Sequence, residues 1–586
     1  MEISRFAKPV FYFVLPLVFL ALSLGSVAQK SPTYDETVHL FAGYSYLKWG
    51  DYRVNPEHPP LVKMLAAAPL LALDLKTTGI TPRERYIVQR DKNYGWVLAH
   101  RFVFADNDAE SLFFYARLVM VFLAALLALC VGRWTWELYG AEAALVASFL
   151  FCFDPNVIAH SAIVQTDVPF ALVFFAATYF FWRSLKQLTW FNLMATALLF
   201  AVAAVTKFSF VAIIPIWLVL GAAAIFSLKP LRSPITMPEE ITGRWRKAAL
   251  VGTILLLSLL LGYLAIWTAY HFRFEAIPFQ RGELPLADLS SDNSWLGWLF
   301  QLCRDYYLLP EALVYGLSDA YLRMERTSYL LGDISQNGFW LYFPVAFLVK
   351  TPAPTLIAIV IAAIYTIVRR PKGSDVLFLL APALIFFLVA VWSRLNVGWR
   401  HILPIYPFLF VWLGGTVSAM WRCRGRAIRT KLFLLGAWLC GSTLWSYPNY
   451  LAYFNEFVGG PSKGHLILVD SSLDWGQDLK ALKEWMKRNQ VKKIQLAYFG
   501  TADPAYYKIN AVYLPGCVYH TQPELNDVAD FPRYVAISET FLAGLYLDRP
   551  DRYARFRTLA PVAVINYSIR VYKMTEDRAN QGTDDN

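Results

Sequence analysis

Asp35 and Glu36 follow an apolar run at 9–28 that is long enough to span a bilayer. Carboxylates held this close to a membrane surface are placed to meet a lipid-borne substrate and to take a proton from an attacking hydroxyl. The same stretch, Pro32-Thr33-Tyr34-Asp35, could instead cap a helix through Thr33 or Asp35, and caps are the commoner use of such residues. A second candidate is Asn55-Pro56-Glu57-His58-Pro59-Pro60-Leu61-Val62-Lys63. Its prolines fix a turn that aims Glu57 and His58, with Lys63 opening a helix, either to hold a phosphate or simply to join two helices. A third is Gln165-Thr166-Asp167-Val168-Pro169, where Asp167 is a functional acid at a membrane boundary or an N-cap beside Thr166. A fourth group is basic: Arg117 within an apolar run, with Lys207, Arg394, Arg400 and His401 at run boundaries. Lys and Arg there would grip an anionic phosphate, or snorkel to headgroups.

The elements that must position these residues are apolar runs. About eleven helices of about 20 residues are expected, near 9–28, 112–132, 141–161, 167–183, 190–206, 209–228, 248–270, 343–368, 375–393, 401–420 and 431–447. Alternate connectors are basic, carrying Arg5 and Lys8; Arg133; Arg183 and Lys186; Lys229, Arg232, Arg244, Arg246 and Lys247; Arg369, Arg370 and Lys372; and Arg422, Arg424, Arg426, Arg429 and Lys431. By the positive-inside bias these lie in the cytoplasm. All four candidate groups except Arg117 then fall at the outer interface, where a cluster of cations runs against that bias. The outer regions are 29–110, 271–339 and the C-terminal segment from about 447, with an interfacial or re-entrant helix at 61–73.

The 586 residues are 57% hydrophobic and only 17% charged, which points to lipid as the solvent for most of the chain. The net charge of +11 sits mainly in short connectors, a membrane-topology pattern rather than a nucleic-acid footprint. None of the six cysteines forms a C-x-x-C pair, so neither a zinc site nor a redox motif is indicated. Cys303 and Cys517 would share the oxidising side, where a bridge between them could form. Ser26-Val27-Ala28 resembles a signal-peptidase site, but the run before it is long enough to remain as a first span. No Gly-rich phosphate loop is evident.

Beyond 446 the pattern changes to that of a small α/β domain, 447–574, ending in a polar tail at 575–586 that reads as disordered. A helix is expected over 474–489, with strands at 493–498, 534–537 and 562–572.

Taken in order, these motifs resemble the protein O-mannosyltransferase-like glycosyltransferases, family 39, of the GT-C type. The resemblance rests on Asp35-Glu36, His58-Pro59-Pro60-Leu61 with Lys63, Thr166-Asp167, Lys350-Thr351-Pro352, and Asn396-Val397-Gly398-Trp399-Arg400-His401-Ile402-Leu403-Pro404. Asp470-Ser471-Ser472-Leu473-Asp474-Trp475-Gly476-Gln477-Asp478-Leu479 resembles the outer domain of bacterial members. The resemblance implies a polytopic transferase domain (1–446) in a bacterial inner membrane, with the active site and the C-terminal domain on the extracytoplasmic face. It implies a polyprenyl-phosphate sugar donor and a hydroxyl acceptor on protein, lipid or glycan. Asp35 would be the catalytic base, assisted by Asp167 and Glu36. Glu57, His58, Lys63, Arg117, Lys207, Arg400 and His401 would bind substrate. A divalent cation would help neutralise the phosphate, although no ligand set stands out. The second outer region lacks the β-trefoil insertion of the eukaryotic enzymes, which counts against a protein acceptor. The competing readings are a transporter or flippase, which would show repeats and broken helices with buried charges, and a membrane-anchored scaffold.

Overall fold

The computed structural model describes residues 10–77, 81, 84, 87, 91, 93–234, 240–278, 284, 294–322, 326–369, 375–423, 425–517 and 533–574. Arg5, Lys8, Arg370, Lys372, Arg424 and the tail 575–586 lie outside these. The protein is an α-helical polytopic membrane protein with a small α/β region at its C-terminal end. Among the described residues six helices are long and apolar enough to cross a membrane: Ala109–Tyr139, Asp167–Lys186, Phe208–Phe226, Arg244–Ala269, Asp375–Trp392 and Trp399–Cys423. The count rises to eight if each of two bent helix pairs is one span. The other expected runs form helices that are shorter (Leu15–Val27 and Trp190–Ala204) or that begin with charged turns (Arg426–Ser446).

Two runs expected to be continuous are broken. Ala141–Cys152 and Pro155–Ser161 meet at 66°, and Tyr342–Lys350 and Ala353–Arg369 at 109°. Pro155 and Pro352 cannot donate to the preceding turn, so each break frees backbone groups that must be satisfied inside the protein. Asp154 caps the first break, accepting from the Asn156 and Val157 amides at 2.9 and 3.0 Å. Asn455 caps the second, donating to the carbonyls of Leu348 and Thr351 at 2.6 and 2.9 Å. Asn156 ties the two breaks together through the Lys350 carbonyl, at 2.6 Å. The Leu348, Lys350 and Thr351 carbonyls and the Asn156 and Val157 amides at the two breaks are thus held by side chains.

Asp167–Lys186 and Trp399–Cys423 are buried on nearly every side, whereas Arg244–Ala269 is largely exposed toward lipid. A helix apolar all round belongs at a centre, and these two central helices carry Asp167 and Arg400 at the same end of the bundle. At the other end lie the ion pairs Arg422–Glu142 (2.8 Å), Lys186–Asp375 (3.0 Å) and Arg183–Glu137 (3.8 Å). The basic residues Arg183, Lys186 and Arg422, from two of the expected basic connectors, thus share one end of the bundle.

At the Asp167 end the chain folds into two crossed helices, Glu36–Trp49 and Leu61–Ala67, the second continuing as the 3-10 turn Ala68–Ala72. They cross at Gly43, where a Cβ would lie 1.9 Å from the Lys63 carbonyl oxygen. Only glycine allows this approach, which brings Lys63 beside the turn before it.

The C-terminal region carries a five-stranded sheet in the order Ala511–Tyr513, Ile494–Ala497, Tyr534–Ser538, Ile569–Lys573, Ala563–Ile565. Its first two pairings are parallel and its last two antiparallel. The run expected as one strand at 562–572 is a hairpin, because Asn566 and Tyr567 take positive φ (47° and 68°) and turn the chain back. The helix expected over 474–489 is Leu479–Arg488. Cys303 and Cys517 are both free. The Cys517 thiol donates to the Leu496 carbonyl at 3.2 Å.

Candidate active site

Asp35 sits at the first turn of Glu36–Trp49 but makes no side-chain capping bond, and Thr166 makes none at the head of Asp167–Lys186. The capping alternatives therefore do not account for Asp35 or Thr166. The Asp35 carboxylate instead meets the Arg400 guanidinium at 3.3 Å and keeps 27% of its side-chain surface exposed. The same Arg400 nitrogen lies 3.7 Å from Asp167, whose buried carboxylate also accepts from Lys207. Thus four elements far apart in sequence form one charge chain: Asp35, Arg400, Asp167, Lys207.

Gly398 makes the Arg400 position possible. Its φ of +131° disfavours any side chain, and a Cβ would lie 2.0 Å from the Ser471 hydroxyl oxygen. The Arg400 guanidinium rests 4.2 Å above the Trp475 ring, so the C-terminal region holds one of its faces.

The turn 55–63 folds toward this chain. Lys63 donates to the carbonyls of Asn55 and His58. Burial pushes its pKa down, against the pull of Glu57 and Asp35. His39, one helical turn beyond Asp35, contacts the Val164 carbonyl at 2.9 Å, and its ring lies 6.0 Å from that of His58. Burial, with Lys63 nearby, holds His39 down at about 4 and pushes His58 below the usual range, so both rings are neutral at pH 7. Buried Asn55 Oδ1, His58 Nδ1, Arg400 Nε and His401 Nε2 have no hydrogen-bond partner among the described residues. Orphaned polar atoms gathered this way call for a ligand or an equivalent explanation.

Glu36 and Arg117, expected as a catalytic acid and a substrate cation, are brought together but away from this cluster. Arg117 clamps the fully buried Glu36 carboxylate at 2.8 and 2.7 Å. Glu36 also accepts from the Thr33 and Val164 amides, and Arg117 donates to the carbonyls of Val27, Lys30 and Ser31. With these bonds in place the pair braces the loop that carries Asp35. Arg394 is exposed.

Two residues not expected at the site also reach it: Asp470, from the C-terminal motif, and His39. Asp470 takes a positive φ (57°) and accepts from the Tyr546 hydroxyl at 2.7 Å. Burial, with Asp35 adding to it, raises its pKa to about 6. The spacing Asp35, Glu36, His39 on one helix is the pattern that could have pointed to His39.

The C-terminal motif 470–479 is the clasp between the sheet and the membrane domain. The Trp475 and Gln477 carbonyls accept from the Tyr34 and Ser31 amides at 2.9 and 3.0 Å, and Lys350 donates to the Ser472 carbonyl at 2.7 Å. Asp478 pairs with Lys30 at 2.7 Å. Within the clasp, burial lifts Asp474 from 3.8 to about 8. A raised folded-state pKa means the folded chain keeps a proton that the unfolded chain has lost. The associated stabilisation is full below pH 3.8 and is lost as pH rises through about 8. The apparent melting temperature should fall by about 3 °C or more between pH 5 and pH 9. Asp474→Asn should flatten that slope in melts followed by circular dichroism.

Among the described residues no group of three or more His, Cys, Asp and Glu is arranged to hold a metal ion. Beside Asp35 opens a cleft of about 450 Å³.

Residues 93–238 match the family model for dolichyl-phosphate-mannose-protein mannosyltransferases, a stretch that includes Asp167 and Lys207. The resemblance read from the motifs is therefore matched by a glycosyltransferase family model. Among solved structures, ArnT from Cupriavidus metallidurans bound to undecaprenyl phosphate is 12% identical, covers 96% of this chain and 98% of its own, and has a TM-score of 0.46. The Archaeoglobus fulgidus oligosaccharyltransferase in the apo form is 15% identical, covers 82% and 58%, and has a TM-score of 0.41. The S. cerevisiae protein O-mannosyltransferase Pmt1-Pmt2 complex bound to the sugar donor is 15% identical, covers 45% and 34%, and has a TM-score of 0.34. No curated protein matches this chain.

Proposed function

We propose that this protein is an inverting glycosyltransferase that moves a sugar from a polyprenyl-phosphate carrier to a hydroxyl acceptor at the extracytoplasmic face of a bacterial inner membrane. The observation that carries the reading is the charge chain Asp35–Arg400–Asp167–Lys207, which puts a partly exposed carboxylate beside a fixed guanidinium. The chain's basic connectors at the opposite end support the orientation. The matched family model supports the donor class.

In this mechanism the acceptor hydroxyl oxygen attacks the anomeric carbon from the face opposite the carrier. The new glycosidic C–O bond forms as the bond from the anomeric carbon to the phosphate oxygen breaks. The hydroxyl proton passes to Asp35, and the polyprenyl phosphate leaves with the bonding electron pair. Arg400, Lys63 and Lys207 offset its charge, with His58 and His401 as hydrogen-bonding partners. Asp167 holds Arg400 and Lys207 in place rather than touching the sugar. A single displacement inverts the anomeric configuration. Residues 1–446 form the transferase domain and 447–574 the domain that closes over it.

Incubating the purified protein with a panel of polyprenyl-phosphate sugars and a mixture of hydroxyl acceptors should give a glycosylated product of inverted anomeric configuration. Carrier flipping across vesicles without transfer would support a flippase instead.

A further inference from the structure

The cleft beside Asp35 has a composition unlike the cation cluster it adjoins. Among the described residues its rings are Tyr34, Trp96, Tyr315 and Tyr546, and its charges beyond Asp35 are Glu57, Asp319 and one cation, Arg326. Phe499 underlies the rings. It stacks on Tyr34 at 5.1 Å and 27° and on Tyr546 at 5.5 Å and 20°, while Trp96 meets Tyr34 edge-on at 5.4 Å. The ladder joins the first outer loop to the C-terminal region. It is fixed at both ends, by the Tyr34 backbone bonds to Trp475 and Thr501 and by the Tyr546 hydroxyl on Asp470. Tyr546 still exposes 40% of its surface.

Rigid aromatic faces flanked by carboxylates and an amide suit one chemistry well. A pyranose presents apolar C–H faces to rings and vicinal hydroxyls to acceptor oxygens. The acid excess disfavours a phosphorylated or acidic acceptor, which like charges would repel. Arg400 meets Asp35 at 3.3 Å, and neither it nor Lys63 nor Lys207 lines the cleft. Asp35 thus stands at the seam between a cationic donor side and a neutral-to-acidic acceptor side.

We propose that the cleft is a binding site for a neutral carbohydrate and that the acceptor is therefore a glycan. The proposal rests on the transferase reading for its consequence, but the binding itself does not require a donor.

Saturation-transfer NMR on the full-length protein in detergent tests it, with mannohexaose, cellohexaose, chitohexaose and a threonine-rich hexapeptide as probes and no donor present. At least one oligosaccharide should bind. Trp96→Ala should weaken that binding at least 10-fold, and Trp96→Phe should restore most of it. Because Trp96→Ala could disturb folding, Glu57→Gln serves as the second variant, with an expected loss of about 3-fold or more. The proposal is overturned if no oligosaccharide binds, if both Trp96→Ala and Glu57→Gln bind as wild type does, or if the peptide alone binds in a Trp96-dependent way. Failure of the transferase reading shows separately, as no sugar leaving any polyprenyl-phosphate donor.

Discussion

Asp35→Asn should lower sugar transfer by about 100-fold or more, the scale for losing a general base, while leaving the fold intact. Asp35 makes one long contact to Arg400 and no capping bond, so Asn at this position breaks no capping bond or close ion pair. Asn keeps the size and can still accept from Arg400, but it cannot take the proton. Donor binding should hold or tighten slightly, since a negative charge near the phosphate is removed. The separation is readable as a fall in kcat with KM for the donor within about 3-fold of wild type. Equal turnover in the variant would remove Asp35 from the mechanism.

Lys207→Met should act on stability and activity together. Asp167 is 2% exposed and lies against Lys207 and, less closely, Arg400. Removing the ammonium strands a carboxylate in a dry setting, at a cost of about 3–5 kcal/mol. The expected result is a clearly lower melting temperature and loss of transfer. The double variant Lys207→Met with Asp167→Asn removes both charges, so most of the stability should return while transfer stays low. If the double variant regained activity, Lys207 would be a structural partner of Asp167 and not a phosphate ligand. If the single variant were as stable as wild type, the buried pair would not be braced as described.

Asp35, Asp167, Lys207 and Arg400 were each legible in the sequence because ionised residues at the ends of apolar runs cost free energy and so stand out against the lipid-facing background. The ends on which they fall were legible too, because basic connectors alternate. The pairing of Glu36 with Arg117 was not. Adjacent acids look alike in sequence, and only the helix path decides which faces the cleft and which turns into the bundle. The breaks at Asp154-Pro155 and Thr351-Pro352 were hidden for a similar reason: hydropathy sums composition along a run and is blind to a corner whose carbonyls are capped by Asn455 from 104 residues away.

What the sequence determined by itself is that lipid is the solvent for most of the chain, and the small set of charged residues that meet at one end of the bundle. These follow from local composition, since the transfer cost of a run depends on its own side chains. What only the tertiary structure decided is which charges touch and what faces them: Arg400 bridging two carboxylates above Trp475, the clasp 470–479, and the aromatic ladder from Tyr34 to Tyr546. Such contacts depend on distances between segments hundreds of residues apart, set by how helices and sheet pack, and no local pattern of residue types encodes them.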